Sequence, residues 1–163
     1  MVGNSVDKRT CVATPVQVGA MPRPNGELSK SQGFRIYSVN SKSVTLKGNA
    51  GGSGGKTGLY AIPIEYIDDK PTKAVCLTDG KEYTVYEVSN ETIEIKNRSY
   101  PIKLEDGFYI IRKLTVRECM RLQTVPEWFD FGVVSNAQAY KMLGNGWTCD
   151  VISHLIKATQ ATL

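Results

Sequence analysis

Residues 112–150 read RKLTVRECMRLQTVPEWFDFGVVSNAQAYKMLGNGWTCD, and this stretch decides the fold of the chain. Thr115 suits a helix N-cap. Glu118, three residues on, completes a capping box in which cap and acid satisfy each other's backbone amides. Leu114 before the cap and Cys119 at the fourth helical position suit a hydrophobic staple. Val116, Cys119, Met120 and Val125 form an apolar stripe at helical spacing. Arg117 and Arg121 are four apart and share the other face. Pro126 is expected to end the helix, because the residue before a proline avoids the helical region. The device then repeats. Ser135 caps, Gln138 stands three residues later, and the second helix is expected to stop at Gly144 as a left-handed C-cap. A third helix is expected from Thr148 or Asp150 to Lys157. Its buried face would be Val151, Ile152, Leu155 and Ile156.

Upstream the pattern changes to strands. Residues 74–77, 82–88, 92–95, 99–104 and 108–111 are short runs rich in branched and aromatic side chains. Asp79-Gly80, Ser89-Asn90, Lys96-Asn97 and Asp106-Gly107 supply turn chemistry between them, and a polar loop over 68–73 interrupts the series. Residues 34–39 and 59–64 also read as strands. Asn40, Ser41 and Lys42 are expected to turn the first of these back on residues 44–47 as a hairpin. One short strand over 12–18 and a Pro- and Gly-broken loop over 21–31 precede it. The predicted organisation is an irregular N-terminal segment over 1–32, a β-rich module over 33–111 and a helical tail over 112–163. The class is α+β: a small antiparallel module followed by about three helices, with no doubly wound domain. If the chain stands alone, its helices are expected to pack on their own sheet.

Residues 48–58, GNAGGSGGKTG, end in the Gly-Lys-Thr of a phosphate loop, but Ala50 stands where the first glycine belongs. Such a loop must open a helix so that amides and dipole face the phosphate, and here a strand follows. A flexible loop is the plain alternative. Backbone amides with Lys56 lying against a DNA phosphate is the functional one.

The net charge of +4 permits a nucleic-acid partner without requiring one. Cys11, Cys76, Cys119 and Cys149 are widely spaced with no Cys-x-x-Cys, which argues against a zinc site and a disulfide framework. No metal is expected. His154 is the one histidine, and a surface position explains it. No apolar run suits a bilayer span, the N-terminus has no signal-peptide core and the cysteines are unpaired by pattern, so the expected setting is a reducing cytoplasm.

The pattern Arg-Lys-Leu-Thr-x-Arg-Glu-Cys-x-Arg-Leu-Gln-x-x-Pro over 112–126, then Ser-x-x-Gln-Ala-Tyr-Lys-x-x-Gly-Asn-Gly over 135–146, resembles the last two conserved motifs of the DNA cytosine-5 methyltransferases in order and spacing. Residues 33–60 are similar to the segment that phage and bacterial members carry before their target-recognition region. The resemblance implies that 33–111 includes such a region. It also implies that Asn145, Gly146 and Trp147 help close an S-adenosylmethionine pocket. That family often has serine or alanine where Gly146 stands and an aliphatic residue where Trp147 stands. Arg112 and Lys113 become candidate phosphate contacts. Arg117 and Arg121 are expected to hold recognition loops by hydrogen bonds and to lie on the DNA-binding side.

The family's Gly-rich cofactor loop, Pro-Cys nucleophile and Glu-Asn-Val motif do not occur in this sequence. The expected role is therefore the DNA-binding, target-recognition part of such an enzyme, which needs a catalytic half before S-adenosylmethionine can methylate cytosine. The chain would be a natural subunit, a truncation, or a descendant with another use. The alternative is a free-standing non-catalytic protein, of phage origin for example, that occupies DNA or inhibits a nucleic-acid enzyme. An autonomous enzyme is disfavoured, since no nucleophile–base pair is evident. Without a partner, Trp147, Val151 and Leu155 would be exposed, which predicts association with a partner or with a second copy.

Overall fold

The computed structural model describes residues 14–46, 57–65 and 72–160. Among the described residues eight strands precede three α-helices: β1 (Gln17–Ala20), β2 (Arg35–Ser38), β3 (Leu59–Ile64), β4 (Lys73–Val75), β5 (Glu82–Ser89), β6 (Thr92–Ile95), β7 (Arg98–Pro101), β8 (Gly107–Arg112), α1 (Val116–Leu122), α2 (Asn136–Asn145) and α3 (Cys149–Gln160). The α+β class expected from the sequence is the class observed.

Alternation builds the strands. β6 buries Ile93 and Ile95 and exposes Thr92 and Glu94, one face to each side of the pleat. The hairpins on either side of β6 turn on Asn90–Glu91 and Lys96–Asn97, all four with positive φ, as a two-residue type I′ connection requires. The first of these lies one residue later than the Ser89-Asn90 turn expected. The sheet runs β1-β2-β3-β8-β5-β6-β7, with β4 pairing off this path against the start of β5. All neighbours are antiparallel except β2 and β3, which are parallel.

The two ends of that order meet. After β7, the Lys103 amide donates to Val18 O at 2.7 Å, so the segment following the last strand reaches β1 and nearly closes the sheet into a barrel. Gly19 makes this approach possible, because a Cβ there would stand 3.1 Å from the Ile102 side chain. Val18, Ile36, Val88, Ile93, Ile102 and Tyr109 fill the interior. Near-closure gives otherwise unpaired strand edges partners.

Two strand expectations are corrected. Residues 42–46 form no hairpin with β2, and Lys47 lies outside the described residues. A strand parallel to β2 must arrive by a crossover, and residues 39–58 supply it, so β3 takes the partner position. Val44 is buried instead, its amide donating to the Tyr60 hydroxyl at 3.2 Å. The strand expected over 99–104 stops at Pro101, and Ile102 and Lys103 bond to Glu91 O and Val18 O.

The helices begin as expected and end differently. Thr115 and Glu118 form both halves of the capping box. Helix α1 stops at Leu122, not at Pro126, and Val125 is off the helix. Thr124 turns left-handed at φ +50, and the amides of Thr124 and Val125 return to Arg121 O and Met120 O. That is the Schellman arrangement. Gly144 is not a left-handed cap: α2 continues to Asn145, and Gly146 caps it at φ −76. The buried face expected of α3 is not buried. Val151, Leu155 and Ile156 are each about half exposed, and no residue of α3 is buried. The helices do not pack on the sheet as a layer. Instead α1 and α2 pack together, with Cys119, Ala139 and Leu143 buried.

Candidate functional site

The site is the junction where β8 runs into the helical tail. Arg112, the last residue of β8, is not a surface cation. Its side chain is 2% exposed, and its two terminal nitrogens donate to the two Glu118 oxygens at 2.8 and 2.7 Å. One of them also donates to Lys113 O. Glu118 accepts the Thr115 amide as well, so a single carboxylate fastens strand, connection and helix. Burial pushes the Glu118 carboxyl up, but the Arg112 guanidinium and the Thr115 amide outweigh it and hold it below the usual carboxylate range. The hydrogen bonds to Glu118 raise Arg112 in turn. The phosphate contact expected of Arg112 is thereby corrected, since its charge is neutralised inside the protein.

Lys113 remains at the surface side of the junction. Its Nζ sits 4.8 Å over the Tyr140 ring, whose hydroxyl donates to Leu114 O at 2.8 Å. Burial is the main cause that pushes the Tyr140 hydroxyl up to about 12. Burial likewise pushes the Cys119 thiol up to about 12, which makes it an inert core group rather than a nucleophile. Arg121 pairs with Glu127 at 3.0 Å across the exposed start of the α1–α2 connection. Arg117 is exposed beside Trp128. Neither arginine reaches a loop of the barrel among the described residues. Lys56 lies outside the described residues. Gly58, just after it, adopts φ +80, and a Cβ there would stand 2.5 Å from the Tyr37 ring. Strand β3 follows at once, and no helix opens there.

Gln123 and Thr124 are the residues sequence reasoning missed. The Gln123 side chain donates to Leu143 O at 2.9 Å and accepts from the Thr148 hydroxyl at 3.0 Å, and its carbonyl accepts the Cys149 amide. The Thr124 hydroxyl accepts the Asp150 amide at 2.9 Å, which caps α3. One turn thus ends the first helix, holds the end of the second and starts the third. A glycine would fit the left-handed backbone better, but it would offer α3 no hydroxyl. The visible signal was Gln123 within the repeated motif. Nothing in the sequence marks Thr124.

The turn fixes residues 144–148 along a cleft of about 590 Å³, between Leu122, Gly146, Trp147 and Val151 on one side and residues 42–46 on the other. Trp147 is 74% exposed and also edges a small apolar groove with Pro126, Phe129 and Met142. Asn145 is exposed at the end of α2 and is not part of the cleft lining. The lining offers an indole face, bare glycine backbone and hydroxyls, and no carboxylate. Of the residues expected at an S-adenosylmethionine pocket, Gly146 and Trp147 line this cleft and Asn145 does not. Among the described residues no group of three or more His, Cys, Asp or Glu could hold a metal ion. No described helix is long and apolar enough to cross a membrane.

The family model for C-5 cytosine-specific DNA methylase matches residues 25–161. Over 46 residues the chain is 48% identical to the Type II methyltransferase M.AluI of Cellulosimicrobium cellulans, which covers 28% of this chain and 9% of that protein. Over 70 residues it is 33% identical to the Type II methyltransferase M.FnuDI of Fusobacterium nucleatum, covering 38% of this chain and 20% of that protein. The matches therefore span a fifth or less of each curated relative's length.

Proposed function

Because the chain belongs to the C-5 cytosine-specific DNA methylase family, we propose that it is the target-recognition and C-terminal part of a DNA cytosine-5 methyltransferase and works with a catalytic part. The observation that carries this reading is the uncovered face of the tail. Trp147 in the α2–α3 connection and Val151, Leu155 and Ile156 of α3 are at least half exposed, while the start of α3 is held by the Thr124 hydroxyl. A well-formed tail with an unused apolar face suits docking on another body of protein.

In this reading residues 33–111 select the DNA site, and residues 112–163 join that module to the catalytic part. Lys56, Lys113, Arg117 and Arg121 are the proposed DNA contacts, and Arg112 is withdrawn to the structural clamp. Asn145, Gly146 and Trp147 form one wall of the cofactor site. S-adenosylmethionine supplies the methyl group that the complete assembly transfers to carbon 5 of cytosine. The thiolate that attacks the ring, and the carboxyl group that assists at the ring nitrogen, come from the catalytic part. The target base must leave the duplex for this chemistry.

The test is capture on the tagged full chain from its native cells, with mass spectrometry of what stays bound. Recovery of a protein carrying the Gly-rich cofactor loop and Pro-Cys supports the reading. Recovery of a different nucleic-acid enzyme, with no such protein, would replace it with a non-catalytic inhibitor or DNA-occupying role.

A further inference from the structure

The near-closed barrel has a second charged feature, away from both family motifs. A cleft of about 720 Å³ lies along the seam where β1 meets the segment after β7. Three cations line it: Lys30 from the loop after β1, Arg35 at the start of β2, and Lys103 from the closing segment. Lys30 and Arg35 are five residues apart, and the closure brings Lys103 to them. Among the described lining residues Glu91 is the single acid. None of the three has a carboxylate partner among the described residues. Arg35 donates to Lys30 O at 3.2 Å, which orders both. Arg23 donates to Oγ of Ser29, which lines the cleft.

The chemistry of the lining narrows the ligand. The amides of Ile102 and Lys103 are already bonded to Glu91 O and Val18 O, so the seam offers no amide nest there for one small anion. What remains is a set of long cationic side chains, which suits a row of phosphates. Among the described residues no aromatic side chain lines the cleft, so they offer no platform on which unpaired bases could stack. The only side-chain amide, Gln17, donates to Gly19 O and is poorly placed to read a base edge. Backbone contact without base readout fits duplex DNA.

We propose that this seam cleft holds the phosphate backbone of duplex DNA through Lys30, Arg35 and Lys103, independently of sequence. The proposal rests on the DNA reading above and adds to it a phosphate-contacting face.

The test measures duplex binding by the full chain across a salt series, using several unrelated sequences. Lys30→Gln/Lys103→Gln replaces two exposed side chains, and adding Arg35→Gln completes the set. Lys141→Gln/Lys157→Gln on the tail is the control. Each lost phosphate contact should lower the slope of log K against log salt by about 1. The double variant should lose about 2 and the triple about 3, with equal weakening on every sequence and an unchanged melting curve for the double. The control should match wild type. If wild type binds and the double variant keeps its affinity and slope, the cleft assignment is overturned while the DNA reading stands. Weakening confined to one sequence would also overturn it, since that marks base readout. If wild type does not bind duplex DNA even at low salt, both fall.

Discussion

The barrel and the helical tail use similar apolar residues to different ends. In the barrel, Ile36, Val88, Ile93 and Ile102 are 0–2% exposed, and the seam hydrogen bonds nearly close the sheet on itself. In the tail, α3 has a clear apolar face, yet Val151, Leu155 and Ile156 are 51–55% exposed. The tail's polar bonding is nonetheless complete at its turns: the capping box, the Schellman turn and the Gln123–Thr124 contacts are all formed. The contrast teaches that the barrel carries its own core, whereas α3 is fixed at its start by hydrogen bonds and leaves its hydrophobic face exposed. Burial near 25 cal/mol per Å² of apolar surface is thus available to the barrel at once and to α3 only on docking.

The largest effect should come from breaking the joint between the two regions. Arg112→Ala leaves the Glu118 carboxylate without its buried partner and should cost about 3–5 kcal/mol in urea unfolding. The clamp also fixes a pH dependence. Glu118 is held below its usual range, so its contribution is present above the unfolded pKa and is lost as pH falls through the folded one. The gap between wild type and Arg112→Ala should therefore narrow on acidification. A gap that stays constant through the acid range would show that the ion pair is not the cause.

Within the barrel, Gly58→Ala should cost about 1–3 kcal/mol, because a left-handed backbone would carry a Cβ against the Tyr37 ring. Within the tail, Thr124→Ala should cost about 1 kcal/mol by removing the cap of α3. Thr124→Gly should cost less, since relief of the left-handed strain, about 1–2 kcal/mol, offsets the lost hydroxyl. Equal losses for the two variants would show that the left-handed strain at Thr124 does not matter. The smallest effect is expected where the comparison is sharpest. Leu155→Ser should shift the stability of the isolated chain by no more than about 0.5 kcal/mol, yet it should weaken association with a catalytic part. A large loss of stability would mean that the α3 face is already covered in the free chain.

Local chemistry decided what was legible in the sequence. Strands over 59–64 and 92–95 were readable to the residue, and the cap pairs Thr115/Glu118 and Ser135/Gln138 placed both helix starts, because these signals lie within a few residues of each other. Features set by distant residues were not readable. The β2–β3 pairing depends on a crossover, the seam on Gly19 meeting Ile102, and the end of α1 on a threonine that takes a strained turn and caps another helix. The site showed the same division. Arg112 looked like a phosphate ligand because its motif is basic, and only the fold reveals Glu118 closing over it. Trp147 and the α3 face were foreseen as exposed if unpartnered, because an amphipathic period states where apolar surface lies even when it cannot state what covers it.

The most direct measurement is methyl transfer to duplex DNA from labelled S-adenosylmethionine, with a catalytic part of this family supplied in trans. The account predicts incorporation at carbon 5 of cytosine with the two together and none with either alone, and loss of that incorporation with Leu155→Ser. Methyl transfer by this chain alone, or by the catalytic part at full rate and unchanged sequence choice without it, would contradict the account.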